Sequence, residues 1–148
     1  MAFSIELYTE QLEEKWDLFI KKSMNGTFLQ TRRFLNYHKK GKFIDCSLLV
    51  KKGQEIVGVI PGCEIINNNQ KVFFSHQGST FGGLILSNKI YSTSNIQEIF
   101  ILLENYLKQE GFNKVFFKMT PSIYQKEDSC LLDYFFYQRN YNEYHELN

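Results

Sequence analysis

Residues 96 to 107 constrain this chain more than any other stretch. Ile96, Ile99, Phe100, Leu103, Tyr106 and Leu107 recur at helical spacing and form a wide apolar stripe. Thr93-Ser94-Asn95 precedes the stripe with capping chemistry, and Gly111 stands where a helix C-cap is expected. Strand segments flank this helix: Lys71 to Ser75 before it, and the alternating Val115, Phe117 and Met119 after it. The chain is therefore read as a mixed α/β layer protein.

The remaining segments follow the same logic. Phe3 to Tyr8 alternates as a half-buried strand that Thr9 ends and caps. Glu10 to Lys22 is a helix, with Leu12, Trp16, Phe19 and Ile20 on one face, acids early and lysines late, as the helix dipole favours. Asn25-Gly26 interrupts, and a shorter helix runs from Thr31 to His38. Ile44 to Val50, the turn Lys52-Gly53-Gln54 and the run Ile56 to Ile60 read as a hairpin. Pro61-Gly62 bulges or ends the second strand, which Cys63 to Ile66 resumes, because proline cannot donate to a ladder. Asn67-Asn68-Asn69 is a turn, His76 to Gly83 a glycine-rich loop, and Leu84-Ile85-Leu86 a brief apolar run. Pro121 stops the strand at 115–119, Glu127-Asp128-Ser129 introduces a helix to about Gln138, and the tail from Tyr141 reads as polar strand or coil.

Composition bounds the function. The 148 residues allow one domain with a sizeable core and hardly two. Seventeen basic against sixteen acidic side chains lack the electrostatic footprint of a protein that grips duplex nucleic acid or an anionic membrane. No apolar run reaches membrane-spanning length and the start lacks a signal-peptide pattern, so a cytoplasmic location is expected. Cys46, Cys63 and Cys130 fit neither a disulfide framework nor a zinc site and read as reduced thiols, with at least Cys46 in the core. Aromatic residues are 16% of the chain, and the pairs Phe73-Phe74 and Phe116-Phe117 face both sides of a sheet. Helices or a partner are expected on both faces.

The element order resembles that of the GCN5-related N-acetyltransferase (GNAT) fold. Two local likenesses accompany it: Gln54-Glu55-Ile56-Val57-Gly58 at the third strand, and Phe136-Tyr137-Gln138-Arg139-Asn140-Tyr141 near the end, with Asn140 where the family usually has Gly. Asn140 must then adopt a left-handed conformation, which Asn tolerates better than most residues. A closer resemblance is to the N-terminal half of FemAB-like proteins, in which two GNAT-like domains in tandem transfer an acyl or aminoacyl group to an amine. Residues 25–35, 75–83 and 118–124 carry it. The expected fold is α/β, a GNAT-like mixed and mostly antiparallel sheet with helices on both faces. A single domain is expected over 1–148, either by itself or as the N-terminal half of a larger two-domain protein.

The resemblance implies acetyl-CoA or another acyl-CoA as donor, or an aminoacyl ester. The acceptor it implies is a small-molecule amine or one linked to peptidoglycan or another sugar. It also implies a second GNAT-like domain or a homodimer as partner. One departure stands out. GNAT catalytic domains run a glycine loop straight into the long helix to hold the coenzyme A pyrophosphate. Here Thr80 stands where the first Gly should be, and ten residues separate Gly83 from Ser94.

Candidate residues follow from both readings. His76-Gln77-Gly78-Ser79-Thr80-Phe81-Gly82-Gly83 would let a ligand approach the backbone closely, or is a wide turn around a buried His. Gln77, Gly78, Ser79, Thr80 and Gly82 are accordingly candidate substrate contacts. His76 is a candidate base, since its unperturbed side chain titrates near neutrality, or a structural donor at a strand end. Tyr137 aligns with the residue that in many GNAT enzymes protonates the leaving thiolate, and is otherwise a core-packing residue. Arg33, Tyr37, Lys118 and Tyr124 are candidates to face the same cleft. Ser79 lacks the flanking glycines of a nucleophile elbow, and no Gly-Lys-Ser/Thr follows the glycines. His38, His76 and His145 show no ligand spacing, so no metal is expected. Three function classes remain: an N-acyltransferase domain, a non-catalytic acceptor-recognition domain that needs a second one, and an interaction module self-associating through aromatic faces and a terminal strand.

Overall fold

The structure is a computed structural model, and it describes residues 2–143. Among the described residues, seven strands form two sheets. In the first, β1 (Phe3–Leu7) pairs antiparallel with β2 (Leu48–Lys52), β2 with β3 (Glu55–Ile60), and β3 with the short β6 (Ile85–Leu86). In the second, β4 (Cys63–Asn67) and β5 (Gln70–Phe74) form a hairpin, and β7 (Lys114–Phe116) lies parallel to β5. Asn68 and Asn69 turn this hairpin with φ of 50° and 62°, the two left-handed positions of a tight connection.

Helices cover the first sheet on both sides. A 3-10 turn at Glu10–Leu12 leads into α1 (Glu13–Lys22), whose Trp16 and Ile20 pack on Leu49, Val59 and Ile85. The main core forms around α3 (Thr93–Gln109), whose Ile96, Ile99, Phe100 and Leu103 meet Leu48, Val50 and Leu86. Against α3 packs α4 (Cys130–Gln138) through Leu132 and Phe135. The expected architecture of a mostly antiparallel mixed sheet between helices is the one observed.

Both later helices end in the same way. At the α3 terminus Phe112 N–H donates to the Leu107 carbonyl and Gly111 N–H to that of Lys108, with Gly111 at φ 83°. At the α4 terminus Tyr141 donates to Phe136 and Asn140 to Tyr137, with Asn140 at φ 64°. These are Schellman pairs. The left-handed conformation required of Asn140 is present.

Several expected boundaries move, each for a physical reason. The second helix is one turn, α2 (Arg32–Leu35), ending at Asn36, an exposed residue whose Oδ1 accepts from Nη2 of the buried Arg32. β2 starts at Leu48 rather than Ile44: only Asp45 bridges to Cys63 before it, and the Asp45 and Ser47 side chains are engaged elsewhere. Pro61-Gly62 does more than bulge a strand, since the chain leaves the first sheet there and enters the second. β7 ends at Phe116, and the next residues pair with a side chain instead of a strand. Thr9 gives no side-chain cap. Cys63 is fully buried whereas Cys46 lies at the core edge, and burial raises both thiols, Cys63 to about 11. Tyr141 to Glu143 continue without regular structure, and the rest of the expected tail strand lies outside the described residues.

The two Phe-Phe pairs do split between faces. Phe73 is fully buried and meets Phe117 and Phe112, while Phe74 and Phe116 stack on the opposite face at 5.0 Å.

Candidate functional site

The segment between α1 and α2 builds the polar interior. Thr27 and Gln30 form a capping box on the 3-10 turn Phe28–Gln30: the Gln30 Oε1 accepts from Thr27 N–H at 2.7 Å. Gln30 is fully buried, and its Nε2 donates to the Gly82 carbonyl and to Thr120 Oγ1, both at 2.8 Å. Trp16 Nε1 donates to the Gln30 carbonyl at 2.8 Å. One carboxamide thus fastens the glycine-rich loop to the strand extension beyond β7.

The same loop is tied down along its length. Ser75 Oγ accepts from Lys118 N–H at 2.8 Å and Gly83 N–H at 3.1 Å, and Gly82 N–H donates to the Lys118 carbonyl at 2.8 Å. The space a side chain would need at Gly78 is taken by His38, and at Gly82 by Ser75. Those glycines admit the chain's own neighbours at close range.

A charged cluster lies under the loop. Arg32, 2% exposed, donates through Nη2 to Asp45 Oδ2 and Asn36 Oδ1, and through Nη1 to Ser47 Oγ at 3.0 Å. Its guanidinium lies 4.0 Å from the Tyr8 ring centroid, a stacked arrangement open to Arg. Burial works against the Asp45 charge, but the hydrogen bond from His76, the Arg32 charge and the Ser47 N–H hold its carboxyl well below the usual carboxylate range. His76 Nδ1 accepts from Gly78 N–H at 3.1 Å, which leaves Nε2–H to donate to Asp45 Oδ2 at 3.1 Å. Both ring nitrogens of His76 are engaged. A polar cleft of about 610 Å³ opens beside this cluster, lined among others by His38, Phe43 and Lys39.

The outer edge of β6 leads toward α3. Leu86 N–H donates to Asn25 Oδ1 at 3.0 Å, the Leu84 carbonyl accepts from Asn25 Nδ2 at 2.9 Å, and the Leu86 carbonyl accepts from Met24 N–H at 3.1 Å. The Met24 carbonyl in turn accepts from the N–H groups of Lys126 and Glu127. The fully buried Asn25 therefore occupies this edge as a neighbouring strand would. Between β6 and α3 the chain makes a 3-10 turn at Asn88–Ile90, and Ser92 Oγ accepts from Asn95 N–H. No glycine stands between Gly83 and Gly111. A pyrophosphate held on a glycine loop at the start of α3, as the resemblance implies, would need glycines that this segment lacks, and an amide-rich arm paired to the β6 edge would find its donors and acceptors taken by Met24 and Asn25. These residues do not fit an acyl-CoA donor bound in that way.

A second cavity, about 730 Å³, opens between α1 and α2. Ile20, Phe28, Phe34 and Tyr37 give it apolar walls, with Phe28 and Phe34 edge to face at 5.7 Å. Lys21, Arg33 and Lys126 stand on its lining. Asp17 is its acidic residue, and both its oxygens accept backbone N–H groups, from Arg32 and Arg33.

The candidate residues do not meet in one place. Arg33 and Tyr37 line the larger cavity, and His76 lines the polar cleft. Gln77 and Thr80 are exposed on the loop, Ser79 Oγ accepts from Phe81 N–H, and Gly78 and Gly82 are buried. Lys118 extends over the Phe74 ring, and Tyr124 lies against Phe81. Tyr137 is 82% exposed on α4 and lines neither cavity. Among the described residues no group of three His, Cys, Asp or Glu side chains could hold a metal, and no helix is long and apolar enough to cross a membrane.

Sequence reasoning missed Asn25, Gln30, Arg32 and Asp45. Asn25-Gly26 has turn composition, and Gln30 and Arg32 sit in a polar stretch that reads as surface. The capping pattern Thr27-x-x-Gln30 was the one local signal for them.

No family model matches the sequence, and no curated protein matches it. Solved structures do match its fold. An aminoglycoside acetyltransferase, meta-AAC0020 from an uncultured soil metagenomic sample in complex with sisomicin, aligns at a TM-score of 0.62 and 12% identity over 99% of this chain and 93% of that one. A ribosomal-protein-alanine N-acetyltransferase from Brucella melitensis aligns at 0.57 and 8% identity over 100% and 96%. AAC(6')-Iy, in complex with the bisubstrate analogue CoA-S-monomethyl-acetylneamine, aligns at 0.56 and 7% identity over 100% and 96%. The fold of this chain is the fold of GNAT acetyltransferases.

Proposed function

We propose that this chain works in N-acyl transfer as the domain that recognises the amine acceptor, while a second domain of the same fold holds the acyl donor. The reaction class rests on the shared fold and on the acetyltransferase activities named for the structural neighbours. The division of labour rests on one observation: Asn25 and Met24 saturate the β6 edge that an acyl-CoA arm would use. The tandem arrangement is that of FemAB-like proteins, and a second copy of this chain would meet the same obstacle. In the assembled reaction a neutral amine attacks the acyl carbonyl of a thioester or aminoacyl ester. The C–N bond forms, the C–S or C–O bond breaks, the amine proton passes to a base and the leaving group is protonated. The acceptor sits in the cavity of Phe34, Arg33 and Tyr37. Tyr137, exposed on α4, is the candidate acid for a thiolate that the second domain presents.

An NMR titration of the whole chain tests this reading. Acetyl-CoA is expected to leave the amide signals of Met24, Leu86 and Thr93 to Asn95 unmoved. Saturable shifts at those amides would overturn the reading and assign the donor to this domain.

A further inference from the structure

The larger cavity combines two features that select a ligand class. Its walls are aromatic and unusually bare: Phe28 is 69% exposed and Tyr37 87% exposed, on a concave surface beside the buried Ile20. Large aromatic faces left open in a concavity are binding surfaces for a flat apolar body. The lining also carries Lys21, Arg33 and Lys126, and none of the three has an ion pair among the described residues. Lys126 Nζ donates to the Lys21 carbonyl, which holds this cation against the C-terminal end of α1. Asp17 is the one acid on the lining, its oxygens held by the Arg32 and Arg33 N–H groups, and its single negative charge leaves the three cations in excess.

From this we infer that the cavity takes an anion carried on an apolar body, an aryl or alkyl phosphate or carboxylate, and disfavours polycations. The inference rests on the acceptor reading above and specifies its acceptor: the part that does not react is apolar and negatively charged. Polycationic amino-sugars such as sisomicin, bound by a structural neighbour, would meet three cations against one carboxylate here. Arg33 offers its planar fork to the anion, and Phe28, Phe34 and Tyr37 enclose the body.

Three probes with one body and different charge test this by calorimetry on the whole chain: 1-naphthyl phosphate, 1-naphthol and 1-naphthylmethylammonium. The phosphate is expected to bind at least about tenfold tighter than the ammonium, and to weaken as salt screens the cations. Arg33→Gln and Lys126→Gln, both on exposed side chains, are each expected to weaken the phosphate by about threefold and to leave naphthol unchanged. Phe28→Ser should weaken all three, while inorganic phosphate alone should bind far more weakly than its naphthyl ester. Equal or tighter binding of the ammonium, or phosphate affinity indifferent to both charge variants, would overturn the inference. Acetyl-CoA titrated in the same instrument separates the two ideas. Its binding would overturn the acceptor reading, while the order of the naphthyl probes still decides what the cavity selects.

Discussion

Asn25 bonds Leu86 the way a strand neighbour would, accepting its N–H at 3.0 Å while its own amide reaches the Leu84 carbonyl. Asn25→Ala leaves a buried donor and a buried acceptor without partners, each costing about 1–3 kcal/mol. Urea unfolding should show a loss of at least about 2 kcal/mol. Asn25→Asp keeps the acceptor for Leu86 but sets a carboxylate against the Leu84 carbonyl, so it should also destabilise. A change under about 0.5 kcal/mol, the usual scatter of surface substitutions, would mean the edge is not held this way.

Gln30→Leu should be equally visible. It removes the bonds to Gly82 and Thr120 and the capping box with Thr27 from a fully buried position. The expected cost is about 2–4 kcal/mol, accompanied by faster amide exchange in residues 76–83, which lose their anchor.

Asp45 makes stability depend on acid pH. Its folded carboxyl is held below its ordinary value, so its contribution is fully present above the unfolded pKa of about 3.9 and is lost as pH falls toward the folded value. Asp45→Asn strands the buried Arg32 charge and should cost about 3 kcal/mol at neutral pH. The gap between wild type and variant should narrow as pH drops below about 5. A gap that stays constant as pH falls from about 5 toward the folded value would rule the mechanism out.

Asn140→Gly should stabilise and Asn140→Ala destabilise, each by about 1 kcal/mol, because the residue closes α4 at φ 64°. Tyr137→Phe should leave stability within about 0.5 kcal/mol, since the ring is exposed. Its effect on a reconstituted acyl transfer would then report chemistry alone.

The α3 helix was legible because its stripe is wide and its caps are local. Asn140 was legible because a helix terminus imposes a backbone conformation that few residues tolerate. The β2 start was not, because Asp45 and Ser47 alternate like strand residues while their side chains serve Arg32 from another part of the chain. Pro61-Gly62 announced a break, yet local chemistry cannot say that the chain changes sheets there. The same limit applies to Asn25. Its composition indicated a turn, and its work on β6 depends on residues about sixty positions away. The missing glycine approach to α3 was plain from spacing, whereas the cavity of Phe28, Arg33 and Tyr37 needed α1 and α2 to be placed side by side.

In the proposed function this domain leaves the acyl donor to a partner. Thermal unfolding of the purified chain with and without acetyl-CoA tests it most directly, with dephosphorylated and truncated analogues as controls. No shift is expected at saturating concentrations. A bound donor at about 100 times its dissociation constant would add about 2.7 kcal/mol. A domain of this size would then melt about 5 to 10 °C higher. A shift of that size that disappears with the pyrophosphate would assign the donor to this domain and overturn the proposed division of labour.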